Sequence, residues 1–351
     1  MNYKPRLDGI RFIAIFMVLT GHYLWFVRGY IGVYGVNLFF VLSGYLITSI
    51  LLSEKGKPFG ASYKKFILRR ALRIFPLYYT VVILLIILRV RDIDNDWGYL
   101  LSYTFNIRAG NIRGWESYVY GAYWSLSVEE QFYLVFPFII LLLNRYPGIQ
   151  ISSIILIIII AYFERIYSFI GPKEHNYVSL ITNMGALSIG GAGAWFTKYK
   201  YLNKAFFTSF PVEILMLTGL IFVLLKVPLS LYLLLVPFFN IFFIIKASSF
   251  QFRIGAIDKL LVNKWILLIG KISYGIYIFH IGVLKFLEKN IINPLWQQIP
   301  FEKLGYFSKL YYNKTLIQYP FISLVTIGIA YLSYTYFEAP ILKLKDKYFA
   351  S

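Results

Sequence analysis

Residues 8–27, DGIRFIAIFMVLTGHYLWFV, decide how this chain is read. As a helix the stretch is long enough to cross about 30 Å of hydrocarbon, yet it carries Asp8, Arg11 and His22. Arg11 and His22 stand eleven positions apart, so a helix brings both onto one face, roughly 16 Å from each other along the axis. An ionisable group inside a span is costly and marks a candidate site. The bland alternative, a hydrogen-bonded packing histidine, stays open for His22, although sharing a face with an arginine weakens it.

Nine further apolar windows follow, near 33–53, 74–90, 126–144, 151–169, 178–197, 210–227, 229–247, 265–286 and 319–338. Of 351 residues, 59% are hydrophobic and 15% charged, against about 45–50% and about 25% in soluble domains. That balance excludes a soluble enzyme. The lack of cysteine excludes a disulfide-stapled domain and a thiolate metal site. The expectation is an all-α polytopic membrane protein of about ten transmembrane helices, forming one domain over residues 1–351. No cleavable signal peptide is expected, because the first window begins at once and carries polar residues. No appended soluble domain is expected either, the longest stretches between windows being about 91–125 and 287–318.

The formal net charge of +19 first suggests a nucleic-acid partner. Its distribution says otherwise. Segments 1–11, 54–73, 145–150, 198–209, 246–264 and 339–351, with Glu213 and Glu338 at their margins, carry 21 Lys+Arg against 6 Asp+Glu, a net +15. The positive-inside bias makes that side cytoplasmic and puts both termini there. The charge is therefore mostly a topology signal, and the surrounding phase is a lipid bilayer.

Helical rise gives depths. His22 and His280 fall ~21–22 Å from the cytoplasmic surface, and Glu129 lies ~7 Å below the outer one, so these three are expected in one outer layer. A second layer, Arg11, Arg69, Arg70, Arg73 and Glu338, is expected at the cytoplasmic face. Two layers joined by one helix face suit a reaction across a membrane. The segment KKFILRRALRIFP (64–76) admits two readings. It is either an interfacial helix obeying the charge bias or a phosphate site, since Arg70 and Arg73 are i,i+3 neighbours and guanidinium forks suit a diphosphate. No P-loop, GxGxxG, GxSxG or metal-ligand spacing is present. Gly185, Gly190, Gly191 and Gly193 are expected to permit close helix packing. Asp8 and Glu338 read as partners for arginines, and His175 as an ordinary surface histidine.

Six blocks then stand in order: RLDGIRFIAIFMVLTGHY (6–23), GVNLFFVLSGYLIT (35–48), RRALRIFPLYY (69–79), YWSLSVEEQFYLVFP (123–137), KISYGIYIFH (271–280) and YFEAP (336–340). Together they resemble the acyltransferase family 3 integral membrane proteins over nearly the whole chain. The resemblance implies transfer of an acyl group, usually acetyl, from cytoplasmic acyl-CoA to a hydroxyl of an extracytoplasmic or lipid-linked cell-envelope glycan. It also implies a bacterial cytoplasmic (inner) membrane and needs no metal. Carried over by motif, His22 is the catalytic base and Arg11 its donor-side partner. Arg70 and Arg73, with Arg69, hold the CoA phosphates, and Ser43 and Gly44 shape a turn beside the site. Glu129 is the outer carboxylate that orients the imidazole or binds the sugar, with Trp124 and His280 as further neighbours. Where the family has Asp, this chain has Asn37, so no carboxylate role falls there. Many relatives carry a fused SGNH-hydrolase domain and this sequence shows none, so it would deliver the acyl group itself or hand it to a separate acyl-accepting protein.

A covalent acyl-histidine, or a relay through a tyrosine near the outer face, is an alternative route for the acyl group. The competing class is a polysaccharide or glycolipid exporter, since intramembrane His, Glu and Arg also mark carrier pathways. Inverted repeats would favour it, and no internal repeat is visible. A third reading, a scaffold within a glycan-synthesis complex, explains the spans and leaves the polar layers idle.

Overall fold

A computed structural model describes residues 3–24, 30–170, 176–299 and 314–348. The expectation for His175 lies outside the described residues. Along the chain, α1 (Pro5–Tyr23) and α2 (Tyr30–Ser53) are followed by the long α3 (Phe59–Ile87). The segment after α3 holds the short helices α4 (Ile93–Leu101) and α5 (Phe105–Ala109) and leads into α6 (Tyr123–Leu142). Then come α7 (Pro147–Ile170), α8 (Leu180–Lys198), the short α9 (Lys204–Thr208), α10 (Phe210–Lys226) and α11 (Leu229–Ser249). The last third comprises α12 (Gly255–Leu261), α13 (Lys264–Lys271), α14 (Ser273–Leu287), α15 (Asn293–Gln298), α16 (Lys314–Ser333) and α17 (Ala339–Tyr348). No β-strand occurs among the described residues.

A helix stands at each of the ten apolar windows. Six helical stretches are long and apolar enough to cross a bilayer unaided, and a seventh if α13 and α14, bent by 71° at their junction, count as one span. The shortfall has a physical reason. α1 carries charges and α8 is rich in small and polar residues, because both face protein rather than lipid, and α10 has only 17 residues. The window 74–90 falls largely within a 29-residue helix that begins at Phe59. The arginine-rich segment is therefore the first half of α3, not a separate interfacial helix.

α2 sits at the centre, flanked by α1, α6, α8 and α11. Small residues set how closely the helices approach. A Cβ on Gly44 would lie 1.8 Å from the Leu187 carbonyl oxygen of α8, and one on Gly190 would lie 2.0 Å from the Val41 carbonyl of α2. Backbone thus packs on backbone where these two helices cross. Gly185 and Gly193 make the corresponding room for Tyr162 and Ile241, as the glycine run leads one to expect. On the side reached by α13, Gly270 seats against the Asp8 carbonyl oxygen.

Polar clasps tie the ends together. Arg6 grips Asp258 through two hydrogen bonds of 2.7 and 2.9 Å, fixing the start of α1 to α12. Fully buried Lys246 and Glu213 pair at 2.5 Å between α11 and α10. In the segment between α3 and α6, buried Asp96 accepts from Arg108 at 2.9 Å and Tyr120 at 3.0 Å. A buried carboxylate needs such donors. This node folds residues 93–122 onto the bundle and carries Trp115 and Glu116 over the start of α6.

Candidate functional site

Two cavities lie along α1 and α2. The first, partly open to its surroundings, spans about 810 Å³ and is lined by Arg11, Arg70, Arg73, Ser43, Glu129 and Glu130, with apolar residues between them. Its construction follows from helical spacing. Val36, Phe39, Ser43 and Leu46 form one stripe of α2 facing the space. Arg70 and Arg73 project one turn apart from α3, and the break between α13 and α14 delivers Ser273, Tyr274 and Tyr277. Broken helices suit such a place, since freed backbone at membrane depth is tolerated where it lines a cavity.

Within this first cavity the carboxylates are organised. Glu129 accepts hydrogen bonds from Ser43 (3.1 Å) and Tyr133 (2.7 Å). The Arg70 guanidinium lies 5.3 Å over the Tyr133 ring. Arg11 is bonded to buried Asp8, which also accepts from the Tyr3 hydroxyl at 2.8 Å. Asp8 is thus the arginine partner the sequence suggests. Glu338 accepts from Ser333 at 3.3 Å and is an electrostatic neighbour of Arg73.

The second cavity, about 600 Å³, is lined by His22, Glu116, Trp115, Trp124 and Tyr177, with Gly21 and Gly32 at its edge. His22 Nδ1 lies 2.9 Å from the Val18 carbonyl oxygen. A carbonyl only accepts, so Nδ1 carries the ring proton and Nε2 keeps its lone pair. Trp115 stacks on Tyr177 (centroids 6.2 Å, interplanar 24°), and Trp124 meets the same tyrosine edge-on at 4.8 Å. His280 stands behind His22, ring centroids 4.9 Å apart at 64°, with its own Nδ1 on the Tyr277 carbonyl oxygen at 2.6 Å. It lines neither large cavity.

Arg11 and His22 do share one face of α1, one at each cavity, and His280 does reach His22. Three expectations are corrected. Glu129 belongs to the arginine cavity and not to an outer layer with the histidines. Helical rise counted from the start of this span misplaces Glu129, because Tyr123 and Trp124 at that start are already buried in the protein. Arg69 does not line the cavity; one residue from Arg70, it turns about 100° round the helix to become an electrostatic neighbour of Glu54. Ser43 and Gly44 form no turn, for both lie inside α2, where Gly44 is a packing residue. Asn37 accepts from Asn240 at 3.0 Å and joins α2 to α11; it lines neither large cavity but a small pocket that shares Val36 with both. Sequence reasoning missed Glu130, Tyr133, Tyr277, Trp115 and Tyr177. Tyr133 is one turn beyond Glu129 and Tyr277 one turn before His280, a signal that was there to find. Trp115 and Tyr177 lie in single 3₁₀ turns (Trp115–Ser117 and Asn176–Val178) too short to show a periodicity. Among the described residues no three His, Cys, Asp or Glu side chains gather as metal ligands would.

The fold and its paired cavities define a multi-pass membrane protein with a charged chamber and a histidine-bearing one. The chain belongs to the acyltransferase domain family known as acyltransferase family 3, whose model matches residues 4–335. It is similar to the O-acetyltransferase OatA of Staphylococcus aureus strain NCTC 8325, 29% identical over 99% of this chain and 59% of that protein. OatA of strain MRSA252 gives the same values. The chain therefore spans about three-fifths of the length of these curated relatives. No solved structure matches it.

Proposed function

We propose that this protein is a membrane O-acetyltransferase that moves an acetyl group from cytoplasmic acetyl-CoA, or another acyl-CoA, to a hydroxyl of a cell-envelope glycan or lipid-linked sugar. The carrying observation is the state of His22. Its Nδ1 proton is committed to Val18, its Nε2 has no hydrogen bond among the described residues, and it lines a cavity walled by aromatic rings. A hydroxyl needs a base within hydrogen-bond reach of its proton, and Nε2 is so disposed. Trp115 and Tyr177 offer the flat apolar surface on which the C–H face of a sugar ring packs, and Glu116 is an acceptor for sugar hydroxyls.

The donor belongs in the first cavity. Arg70 and Arg73 present guanidinium groups that suit the phosphates of CoA, with Arg11 nearby. The uncharged pantetheine arm then runs along α2 toward His22, so the charged nucleotide never crosses the membrane. In the transfer step the sugar oxygen attacks the thioester carbonyl carbon as His22 Nε2 takes the hydroxyl proton. The new C–O bond forms and the C–S bond breaks. The electron pair leaves on sulfur, which is protonated and departs as CoA. Glu129 and Glu130 act at the donor end, Glu129 holding Ser43 and Tyr133 in place.

In this reading ten helices cross a bacterial cytoplasmic membrane with both termini inside. The net +15 of the inner segments supports that orientation. The test is acceptor-dependent release of CoA from labelled acetyl-CoA by the purified protein, with label recovered on the isolated glycan. Label on the glycan with wild type and none with His22→Ala is the expected outcome. Full transfer by His22→Ala would overturn the assignment of the base.

A further inference from the structure

We propose that Val36 and Tyr277 form a fixed septum between the two cavities and that the gap beside them selects the acyl group by size. The inference rests on the transfer reading above and adds to it the determinant of acyl length. Among the residues lining the two cavities, only Val36 and Tyr277 line both. Along α2, Gly32 and Val33 face the histidine side and Phe39, Ser43 and Leu46 the arginine side. Val36 is the position where the stripe passes from one to the other.

Tyr277 is clamped. Its hydroxyl donates to the Ala122 carbonyl oxygen at 3.0 Å and lies 2.5 Å from Ser125 Oγ. Its ring is flanked by Phe39, centroids 6.3 Å apart, and by His280 at 5.3 Å. A ring held at its hydroxyl and packed against two neighbours is a wall rather than a swinging lid. The same commitment of its only O–H makes it an unsuitable acyl carrier, so the septum takes no covalent part. Val36 is β-branched and rotationally stiff in a helix, so the opposite side of the gap is also of fixed width.

With the phosphates on Arg70 and Arg73 and the attacking hydroxyl at His22, the thioester carbonyl must lie at this gap. Its alkyl group then packs against the Val36 methyls and the Tyr277 ring. A wall of fixed dimensions admits a methyl and crowds a longer chain, since overpacking a rigid apolar site is costly. Each methylene that fits or fails to fit an apolar pocket alters specificity by roughly 10–200-fold.

The experiment measures acceptor-dependent CoA release with acetyl-, propionyl- and butyryl-CoA, alongside CoA affinity by calorimetry. Val36→Ala is expected to raise the butyryl-to-acetyl ratio of kcat/KM at least about tenfold. Val36→Leu is expected to depress acetyl turnover while CoA affinity stays within about twofold of wild type, which also reports a folded donor cavity. Tyr277→Phe keeps the ring, frees the clamp, and is expected to relax the ratio less than Val36→Ala does. Wild-type turnover combined with an unchanged acyl ratio in Val36→Ala and Val36→Leu overturns the septum and leaves the transfer reading intact. Wild-type protein that releases no CoA from any of the three donors overturns both.

Discussion

The two cavities are neighbours on the same two helices, yet they are built from opposite materials. The first gathers three arginines and two glutamates around hydroxyls, and the second sets a single histidine and one carboxylate, Glu116, among four aromatic rings. Charge in a water-poor space is tolerated only with partners, which is why Ser43, Tyr133 and Asp8 sit where they do. The second cavity carries one carboxylate, Glu116, against the five charged side chains of the first, and is otherwise walled by an imidazole and ring faces, so it needs a smaller network. The contrast fits the division of labour proposed above, in which the arginine cavity holds an anion and the histidine cavity holds a neutral polyol and accepts one proton.

The sharpest way to break that division is at His22. His22→Ala is expected to lower acceptor-dependent CoA release by about 100- to 10,000-fold, the range of a lost general base, with CoA affinity unchanged in calorimetry. A matching loss of CoA affinity would mean the cavities are not separable. Next in size come the arginines. Arg70→Ala and Arg73→Ala are each expected to weaken CoA binding about ten- to a hundredfold, as the loss of a charged hydrogen bond predicts, and Arg69→Ala to stay within about twofold. Glu129→Gln tests the corrected placement directly, and the KM for acceptor is expected to hold while donor parameters move. A changed acceptor KM would return Glu129 to the outer site.

Smaller still is the aromatic platform. Trp115→Ala is expected to raise the acceptor KM about three- to tenfold, the scale of one ring's stacking contribution, and to leave CoA affinity alone. Equal weakening of donor and acceptor would assign Trp115 to packing of the segment between α3 and α6.

How legible all this was in the sequence follows from the range of each signal. The shared face of Arg11 and His22 and the pairing of Arg70 with Arg73 depend only on helical repeat, and both came through. The placement of Glu129 failed because it needed the fold of residues 93–122, which drops over the start of α6 through Asp96, Arg108 and Tyr120. No local rule reports where such a segment will lie. The span count met the same limit from another direction. Hydropathy detects helices that face lipid, and α1 and α8 face protein, so their sequences are tuned to charge pairing and close packing. Gly44 illustrates it best: read locally it suggested a turn, whereas its role is set by the Leu187 carbonyl of another helix.

The smallest expected effect lies outside both cavities, at the clasp between Arg6 and Asp258. The Arg6 hydrogen bonds hold the Asp258 carboxyl below its usual range, with the Phe252 N–H adding to the same effect. A carboxyl whose folded pKa is depressed contributes stability above its unfolded value, and that contribution fades as pH falls through the folded one. The pair is partly solvated, with side chains about a quarter exposed, so its worth is about 1 kcal/mol or less. Asp258→Asn is therefore expected to lower the thermal midpoint slightly at neutral pH, with the gap to wild type closing in acid. CoA affinity and acceptor KM are expected to be unchanged, because the clasp seats the start of α1 and touches neither cavity. If Asp258→Asn shifts CoA affinity instead, the register of α1 is transmitted to Arg11, and the arginine cavity depends on how that helix is anchored.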